Sequence, residues 1–358
     1  MAEATNNEVS IKKELLPFQQ SLFFTPKDDD LIHQPPTEEE FNLASKFLSE
    51  EQKFETISIT QLYRSKNSIK ELKNNVPLSI FNEITTANGI VTVIGSSVDE
   101  TNPERLNKQR RIISTAIADV SEKIQHLVAI SGGGSRGAML DPQLAGIQLW
   151  VREFRKDKSK DPAKIRTNLV GIGVGPDIYM PAKSHEHQEM PTLKPGPAFD
   201  NVLSVDTSNF NGGKENAWPP TSIALTILPE LRKKGVKEIT IVAGGGSTTQ
   251  FEALNKLRFD NDIVVIKNSG RFADLLFEVN ETIDSPVNEL RPQIRVLRHE
   301  LESIILTRPT SKQKDLKIEI KNLLNHVHFI DMNEEKDEGT HIKELTQTIL
   351  TFLTNRKQ

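Results

Sequence analysis

Residues 239–249 read Ile-Thr-Ile-Val-Ala-Gly-Gly-Gly-Ser-Thr-Thr, an apolar run that passes directly into three glycines and three hydroxyl residues. The same change from apolar residues to a glycine turn occurs in residues 90–97, 127–137 and 263–271. Short apolar runs that alternate with helical patterns are typical of the buried strands of a parallel sheet. Because parallel strands end at the same edge, the four glycine turns should meet there.

The glycine turns predict an anionic ligand at that edge. Glycine adopts positive φ angles and lets the backbone approach a ligand closely. The helix after each turn presents free N–H groups and the positive end of its dipole. The sequence therefore predicts a binding surface for a phosphorylated small molecule.

The hydrophobic patterns predict an α/β fold with three regions. Strands and helices alternate through residues 86–284, which predicts a doubly wound, mostly parallel sheet. We interpret residues 1–85 as an N-terminal extension, partly disordered and partly helical, with a strand near residues 54–63. Residues 285–358 are interpreted as mostly helical, with one short strand at residues 327–331.

Composition excludes several classes of protein. The 358 residues carry 45 Lys and Arg against 49 Asp and Glu, include no cysteine, and are only 6% aromatic. The chain therefore has neither the excess of positive charge nor the aromatic content with which proteins commonly bind nucleic acids. Disulfides, thiolate metal sites and cysteine nucleophiles are excluded. No signal peptide and no apolar run of membrane-spanning length is found, so we expect a cytoplasmic protein with no membrane association.

The densest turn, residues 132–137, holds four glycines among six residues, with Gly133, Gly134 and Ser135 at its centre. Each glycine costs about 0.5–1 kcal/mol of backbone entropy relative to alanine, and a simple turn needs only one. The stretch lacks the Lys-Ser/Thr pair of a P-loop and the strict dinucleotide fingerprint. We favour a ligand role over the alternative, a tight turn that serves packing alone.

The next turn carries Ser247 and Thr248 at the start of a helix. Their hydroxyl groups could cap the helix or bind a phosphate, because both roles use the same geometry. Glu252 follows one turn later. It could face a ribose or act in catalysis, or it could be an ordinary carboxylate favoured by the helix dipole.

Arg271 follows the turn glycine Gly270, and Asp274 comes three residues after Arg271. An arginine at the binding edge offers a planar fork for phosphate or carboxylate. The alternative is an Arg271–Asp274 surface pair, worth a few tenths of a kcal/mol. We favour the ligand role.

Two His-x-His pairs, His185 with His187 and His326 with His328, have spacing that would share a face of a strand. No third metal ligand accompanies either pair, so we interpret these histidines as surface or packing residues. Neither a metal nor another cofactor is expected.

Several motifs occur in a characteristic order: Gly-Gly-Gly-Ser-x-Gly-x-Met (132–139), Leu-Val-Gly-Ile (169–172), Gly-x-Glu-Asn (213–216), three glycines (244–246) and Val-Val-Ile-Lys-Asn-Ser-Gly-Arg-Phe-Ala-Asp-Leu-Leu (264–276). This order resembles the SLOG superfamily, and more narrowly its LSDAT branch, found in melastatin-type TRP channels and in prokaryotes. The likeness covers about residues 88–280. It implies a Rossmann-like fold and a nucleotide-derived ligand of the ADP-ribose, NAD-derived or cyclic-nucleotide type.

The same resemblance implies a set of ligand contacts and a non-catalytic sensor. The contacts carried over by position are Gly95, Ser96, Gly133, Gly134, Ser135, Gly245, Gly246, Ser247, Thr248, Gly270 and Arg271. No channel segments are present, so the chain corresponds to the sensing part of that architecture. The terminal regions are candidates for contact with a second copy or an effector protein.

An enzymatic alternative remains open. The related cytokinin-activating hydrolases use the motif Pro-Gly-Gly-x-Gly-Thr-x-x-Glu, in which Ala243, Ser247 and Phe251 of this chain are departures. Glu252 comes one residue late, about 100° around a helix. An N-glycosidic hydrolase would use Glu252 or Glu215 as acid or base, supported by Asp274 or Asp206. A third reading is an assembly protein whose glycine turns serve packing only.

Overall fold

The computed structural model describes residues 32–58, 60–61, 69–95, 103–132, 141–176, 200–206, 228–233, 235–307, 315–332 and 336–354. Within them, eight strands form one sheet in which every neighbouring pair is parallel. The strands are β1 (Lys53–Ser58), β2 (Gly89–Gly95), β3 (Leu127–Ser131), β4 (Leu169–Pro176), β5 (Asn201–Asp206), β6 (Glu238–Ala243), β7 (Ile263–Lys267) and β8 (Val327–Asp331).

Eleven α-helices accompany the sheet in the same part of the chain. They are α1 (Glu38–Glu50), α2 (Ile69–Asn75), α3 (Leu78–Thr86), α4 (Pro103–Lys123), α5 (Asp141–Lys156), α6 (Leu228–Lys233), α7 (Ser247–Arg258), α8 (Arg271–Glu281), α9 (Pro292–Leu306), α10 (Leu316–Leu324) and α11 (Glu338–Thr354). Of the helices described, none combines the length and the apolar character that crossing a membrane requires.

The strand order is β1-β5-β4-β3-β2-β6-β7-β8. From β4 to β8 this is the 3-2-1-4-5-6 order of the Rossmann fold, in which β2 is the first strand and β6 the fourth. The prediction of an α/β, Rossmann-like, doubly wound parallel sheet is therefore confirmed. The order reverses between β2 and β6, and folds of this class bind ligands at the carboxyl ends of the strands beside that reversal.

Alternating side chains of the central strands pack against helices on opposite faces of the sheet. Val91 and Val93 of β2 belong to an apolar cluster formed with α4, α5 and α11. Ile90 packs in a cluster that includes α3, and Ile94 in one formed with α7, α8, α9 and α10. Both faces are covered, which explains why these strands read as almost continuous apolar runs.

The sheet also includes a strand from each of the predicted terminal regions. Strand β1 pairs with β5 from Lys53 opposite Asn201 to Ser58 opposite Asp206, and β8 pairs with β7. Strands near residues 54–63 and at 327–331 were both expected from the sequence. The division into three regions is itself a prediction that these pairings do not test.

Arg155, in the last turn of α5, fastens the segment before α1 to the rest of the molecule. Its guanidinium donates to the carbonyl oxygens of Gln34 at 2.7 Å and Pro35 at 3.1 Å, and to both carboxylate oxygens of Glu40 at 2.8 and 2.5 Å. Burial raises the pKa of Glu40, but hydrogen bonds from Arg155 and Thr37 outweigh it and lower the pKa overall. A single arginine thus satisfies several acceptors at once.

We expect Arg155→Ala to lower the free energy of unfolding by about 2–4 kcal/mol, because several charge-assisted hydrogen bonds are lost together. The matched control is Lys156→Ala on the same helix, which removes only a half-exposed pair with Glu153. That variant should change stability by less than about 0.5 kcal/mol. Urea unfolding measures both, and equal losses would show that Arg155 does not anchor the segment.

Candidate functional site

The four glycine turns follow four adjacent strands, in the spatial order β3, β2, β6 and β7. The strand ends lie in register, because Gly95 is opposite Ala243 and Ala243 is opposite Ile266. With about 4.8 Å between strands, the row spans about 14 Å. The predicted convergence at one edge is therefore present for the parts of these turns that the structure describes.

The turn between β6 and α7 has an unusual backbone. Gly244 has φ 66° and Gly245 has φ 97°, both in the left-handed region, while Gly246 is extended and acts as the N-cap of α7. A Cβ atom on Gly245 would lie 2.4 Å from the Cβ of Thr249, whereas one on Gly246 would meet nothing within 4 Å. Gly245 is required by the turn itself, and Gly246 borders open space.

The turn between β7 and α8 contains three residues with positive φ. They are Asn268 at 61°, Gly270 at 90° and Arg271 at 54°. Asn268 is held by its side chain, which donates to Asp331 at 2.7 Å, and its carbonyl accepts from Gln109 at 3.2 Å. A left-handed conformation costs about 1–2 kcal/mol in a residue such as arginine. Strain of this kind is concentrated at binding sites.

Hydrogen bonds join the two turns. The Gly244 N–H donates to Ser269 Oγ at 2.6 Å. The Phe272 and Ala273 N–H groups donate to the carbonyls of Gly245 and Gly244 at 3.1 and 3.2 Å. Both turns therefore form one braced unit. The N–H groups of Phe272 and Ala273 in the first turn of α8 are therefore used within the protein and cannot also hold an anion.

The N-terminus of α7 is arranged differently. No side chain of the described residues caps it, and its first three N–H groups have no partner within the helix. Gly246 and Ser247 are exposed, and Thr248 is half-buried. Of the two helix ends in this unit, α7 is the one that retains capacity for a negatively charged group.

Arg271 is exposed on the same unit, and its guanidinium has no hydrogen-bond or ionic partner among the described residues. The alternative surface pair with Asp274 is absent. Asp274 instead accepts from the Gly270 N–H at 3.2 Å, and its second carboxylate oxygen is buried with no hydrogen-bond partner in the part of the chain that the structure describes. The Gly270 N–H is consequently occupied by the protein's own carboxylate.

The candidate acids of the enzymatic alternative do not form one site in the described residues. Glu252 is only 5% exposed and lies close enough to buried Lys256 for its charge to raise the pKa of that lysine, although burial lowers this pKa overall. Asp206 ends β5, four strands from β6, which corresponds to about 20 Å. The remaining candidates Ser96, Gly133, Gly134, Ser135 and Glu215 lie outside the described residues.

A buried ion pair near this edge was not singled out from the sequence. Arg110 of α4 donates to Asp141, the first residue of α5, at 3.1 Å, and both side chains are at most 1% exposed. Burial raises the pKa of Asp141 to about 7, an effect that the charge of Arg110 opposes. The two residues lie 31 positions apart in the sequence, on different helices, so no local sequence pattern marks the pair.

One group of side chains in the described residues has a spacing that could hold a metal ion, namely His33, Asp119 and Glu122. Arg152 already contacts Asp119 at 2.8 Å and Glu122 at 3.1 Å. Its positive charge makes a cation there unfavourable. Of the two His-x-His pairs in the sequence, His185 and His187 lie outside the described residues; in the second pair His326 contacts Asp262 and His328 packs on Phe352.

Comparison with protein-family models identifies the family of the chain. No curated protein matches the chain. The family model described as SLOG in TRPM, prokaryote, matches residues 88–310, which is more than half of the chain and includes β2 to β7. Membership is consistent with a role that involves a nucleotide-related ligand. The chain therefore belongs to the prokaryotic family of SLOG domains of the TRPM type.

Proposed function

We propose that the chain is a non-catalytic sensor of a nucleotide-derived ligand of the ADP-ribose, NAD-derived or cyclic-nucleotide type. The observation that best supports this is the braced unit at the end of β6 and β7, where an uncapped helix N-terminus and the unpaired Arg271 lie on adjacent turns. Backbone N–H groups and a guanidinium fork are the groups that bind phosphate most effectively. The ligand would extend towards Gly95 and the β3 turn.

The absence of catalysis is proposed because two of the four candidate carboxylates are buried or hydrogen-bonded within the protein. Glu252 is buried beside Lys256, and Asp274 accepts from the backbone of its own turn. A general acid or base must reach the bond that it acts on. The test of the alternative is release of free base or nicotinamide from AMP or NAD. Release that Glu252→Gln abolishes would establish a hydrolase and overturn the sensor.

A sensor also needs a second conformation and a partner that responds to the conformational change. Binding shifts a conformational equilibrium only if the ligand prefers one of its two arrangements. We propose that a second copy of the chain or an effector protein responds to that shift, and that this takes place in the cytoplasm. Size-exclusion chromatography coupled to light scattering, with and without ligand, would test whether a second copy takes part.

Calorimetric titration of the full chain with ADP-ribose, NAD, AMP and cyclic AMP tests the proposal. We expect saturable binding of at least one, and Arg271→Ala should weaken it about 10- to 100-fold, because a charge-assisted hydrogen bond contributes about 1.5–3 kcal/mol. The control is Arg295→Ala, which replaces an exposed arginine on a different helix, α9. Failure of the folded protein to bind any of the four, or an unchanged affinity in Arg271→Ala, contradicts the proposal.

A further inference from the structure

A cleft of about 120 Å³ is lined by the segment before α1 and by residues of the helices α1, α4, α5 and α11. Pro35 and Phe41 form one wall, Leu144 and Ile147 another, and Ile342 a third. Two of these walls come from residues outside the part of the chain that matches the SLOG family. The cleft exists because both ends of the chain fold back onto α4 and α5.

The arginine and the glutamate among the described lining residues neutralise each other, and the third titratable residue there, His33, lies 3.9 Å from the carboxylate of Glu122. Arg111 of α4 and Glu338 of α11 both line the cleft and form a bidentate ion pair, with nitrogen-to-oxygen distances of 2.9 and 3.0 Å. A ligand that brings a net charge would have to be desolvated there without an unpaired opposite charge to receive it. The occupant should therefore be neutral.

Two polar side chains of the cleft retain hydrogen-bonding capacity. Gln148 donates its amide nitrogen to Ser114 Oγ at 3.0 Å, while its amide oxygen accepts nothing from the described residues. The hydroxyl of Thr115 likewise forms no hydrogen bond with the described part of the chain. Small-molecule sites combine apolar walls with a few polar groups of this kind.

We propose that this cleft is a second small-molecule site, which takes a neutral single-ring compound that carries a hydroxyl or carboxamide group. Its volume resembles that of an apolar cavity of about 150 Å³ known to hold benzene. The apolar walls contact the ring, and Gln148 and Thr115 bind the polar substituent. The inference is independent of the nucleotide proposal, since it uses none of the glycine turns.

Saturation-transfer NMR of the full chain with four probes tests the site. Benzamide and phenol should bind saturably with a Kd on the order of 1 mM. Benzoate and benzylamine have the same ring with a charge and should bind at least about tenfold more weakly. No saturation with either neutral probe, or equal binding of the charged probes, overturns the proposal.

Variants locate the binding. Thr115→Phe places a ring in the cleft and should weaken benzamide at least about tenfold. Thr351→Phe introduces the same ring at an exposed position of α11 and should leave binding unchanged. Thr115→Val keeps the shape, removes only the hydroxyl, and should weaken phenol about threefold or more. Unchanged binding in Thr115→Val, or in a folded Thr115→Phe, places the probes elsewhere and rules the site out.

Discussion

Asp141→Asn is expected to raise the free energy of unfolding at pH 8, by about 1–4 kcal/mol, and to leave it nearly unchanged at pH 4. Burial raises the pKa of Asp141 to about 7, against an ordinary value of 3.8, and Arg110 only partly opposes this. The folded protein therefore binds a proton at Asp141 more tightly than the unfolded chain does. The wild type should lose stability as the pH rises from about 4 to about 7, and the asparagine variant should not.

The geometry of the pair explains why burial outweighs attraction. Arg110 and Asp141 share a single hydrogen bond of 3.1 Å. Arg110 Nε and Asp141 Oδ1 are buried and have no hydrogen-bond partner among the described residues. An ion pair removed from water offsets its desolvation only when its remaining donors and acceptors are satisfied. This pair leaves one of each unsatisfied.

Urea unfolding of wild type and Asp141→Asn at pH 4, 6 and 8 measures the effect. Asp200, whose pKa burial raises to about 6, contributes equally to both proteins, so their difference isolates Asp141. Glu50→Gln, at an exposed carboxylate on α1, controls for the loss of one negative charge. The contrary result is a decrease of about 3–5 kcal/mol in the free energy of unfolding at pH 8. This is expected if Asp141 stabilises the buried charge of Arg110, because the variant would leave that charge without its partner.

A costly ion pair at the start of α5 is informative about function as well as stability. Perturbed carboxylates concentrate at sites where charge is used. Asp141 follows directly on residues 133–140, which include three of the predicted ligand contacts. The position of the unfavourable pair agrees with the proposal that this edge of the sheet binds the ligand.

The sequence predicted those parts of the fold that local periodicity encodes. Continuous apolar runs marked β2, β3, β6 and β7, and the glycine turns marked their carboxyl ends, because side-chain alternation and backbone constraints act within a few residues. The pairing of β1 with β5 joins residues about 150 positions apart, such as Lys53 and Asn201, and no local pattern specifies which strand an edge strand meets.

The candidate site was predictable to a similar extent. Residues of both turns were named from sequence, but the role of Ser269, which joins them, depends on a contact with Gly244 across 25 residues. The brace from Asn268 to Asp331 spans 63 residues. Asparagine tolerates the left-handed conformation, which was a usable local signal. Its acceptor on β8 was not deducible, because long-range polar contacts are set by tertiary packing.

Gly245→Ala is expected to lower the free energy of unfolding by about 2–5 kcal/mol, while Gly246→Ala, one residue away, should change it by less than about 0.5 kcal/mol. Gly245 has φ 97°, and a Cβ there would lie 2.4 Å from both Cβ and Cγ2 of Thr249. Gly246 has an extended backbone, φ −103°, and a Cβ there meets nothing within 4 Å. The two variants therefore differ both in the backbone conformation that alanine must adopt and in the neighbour that its methyl group meets.

A second substitution tests how much the Thr249 side chain beyond its Cβ contributes to the loss at Gly245. Thr249→Ala in the Gly245→Ala background should recover little stability, because alanine keeps the Cβ that lies 2.4 Å from the added methyl group. Substantial recovery would show that the rest of the threonine side chain, and not the backbone turn, imposes the glycine. Thermal and urea unfolding of the two single variants and the double variant give the comparison.

A substitution at Gly246 tests ligand binding separately from stability. Gly246 borders open space at the uncapped start of α7, so a side chain there occupies the volume that a phosphate would enter. We expect Gly246→Leu to retain the fold and to weaken binding of the ligand identified by calorimetry at least about tenfold, because the leucine blocks the N–H groups. A folded Gly246→Leu that binds as tightly as wild type would exclude the α7 N-terminus as the anion site, even if Arg271 proved essential.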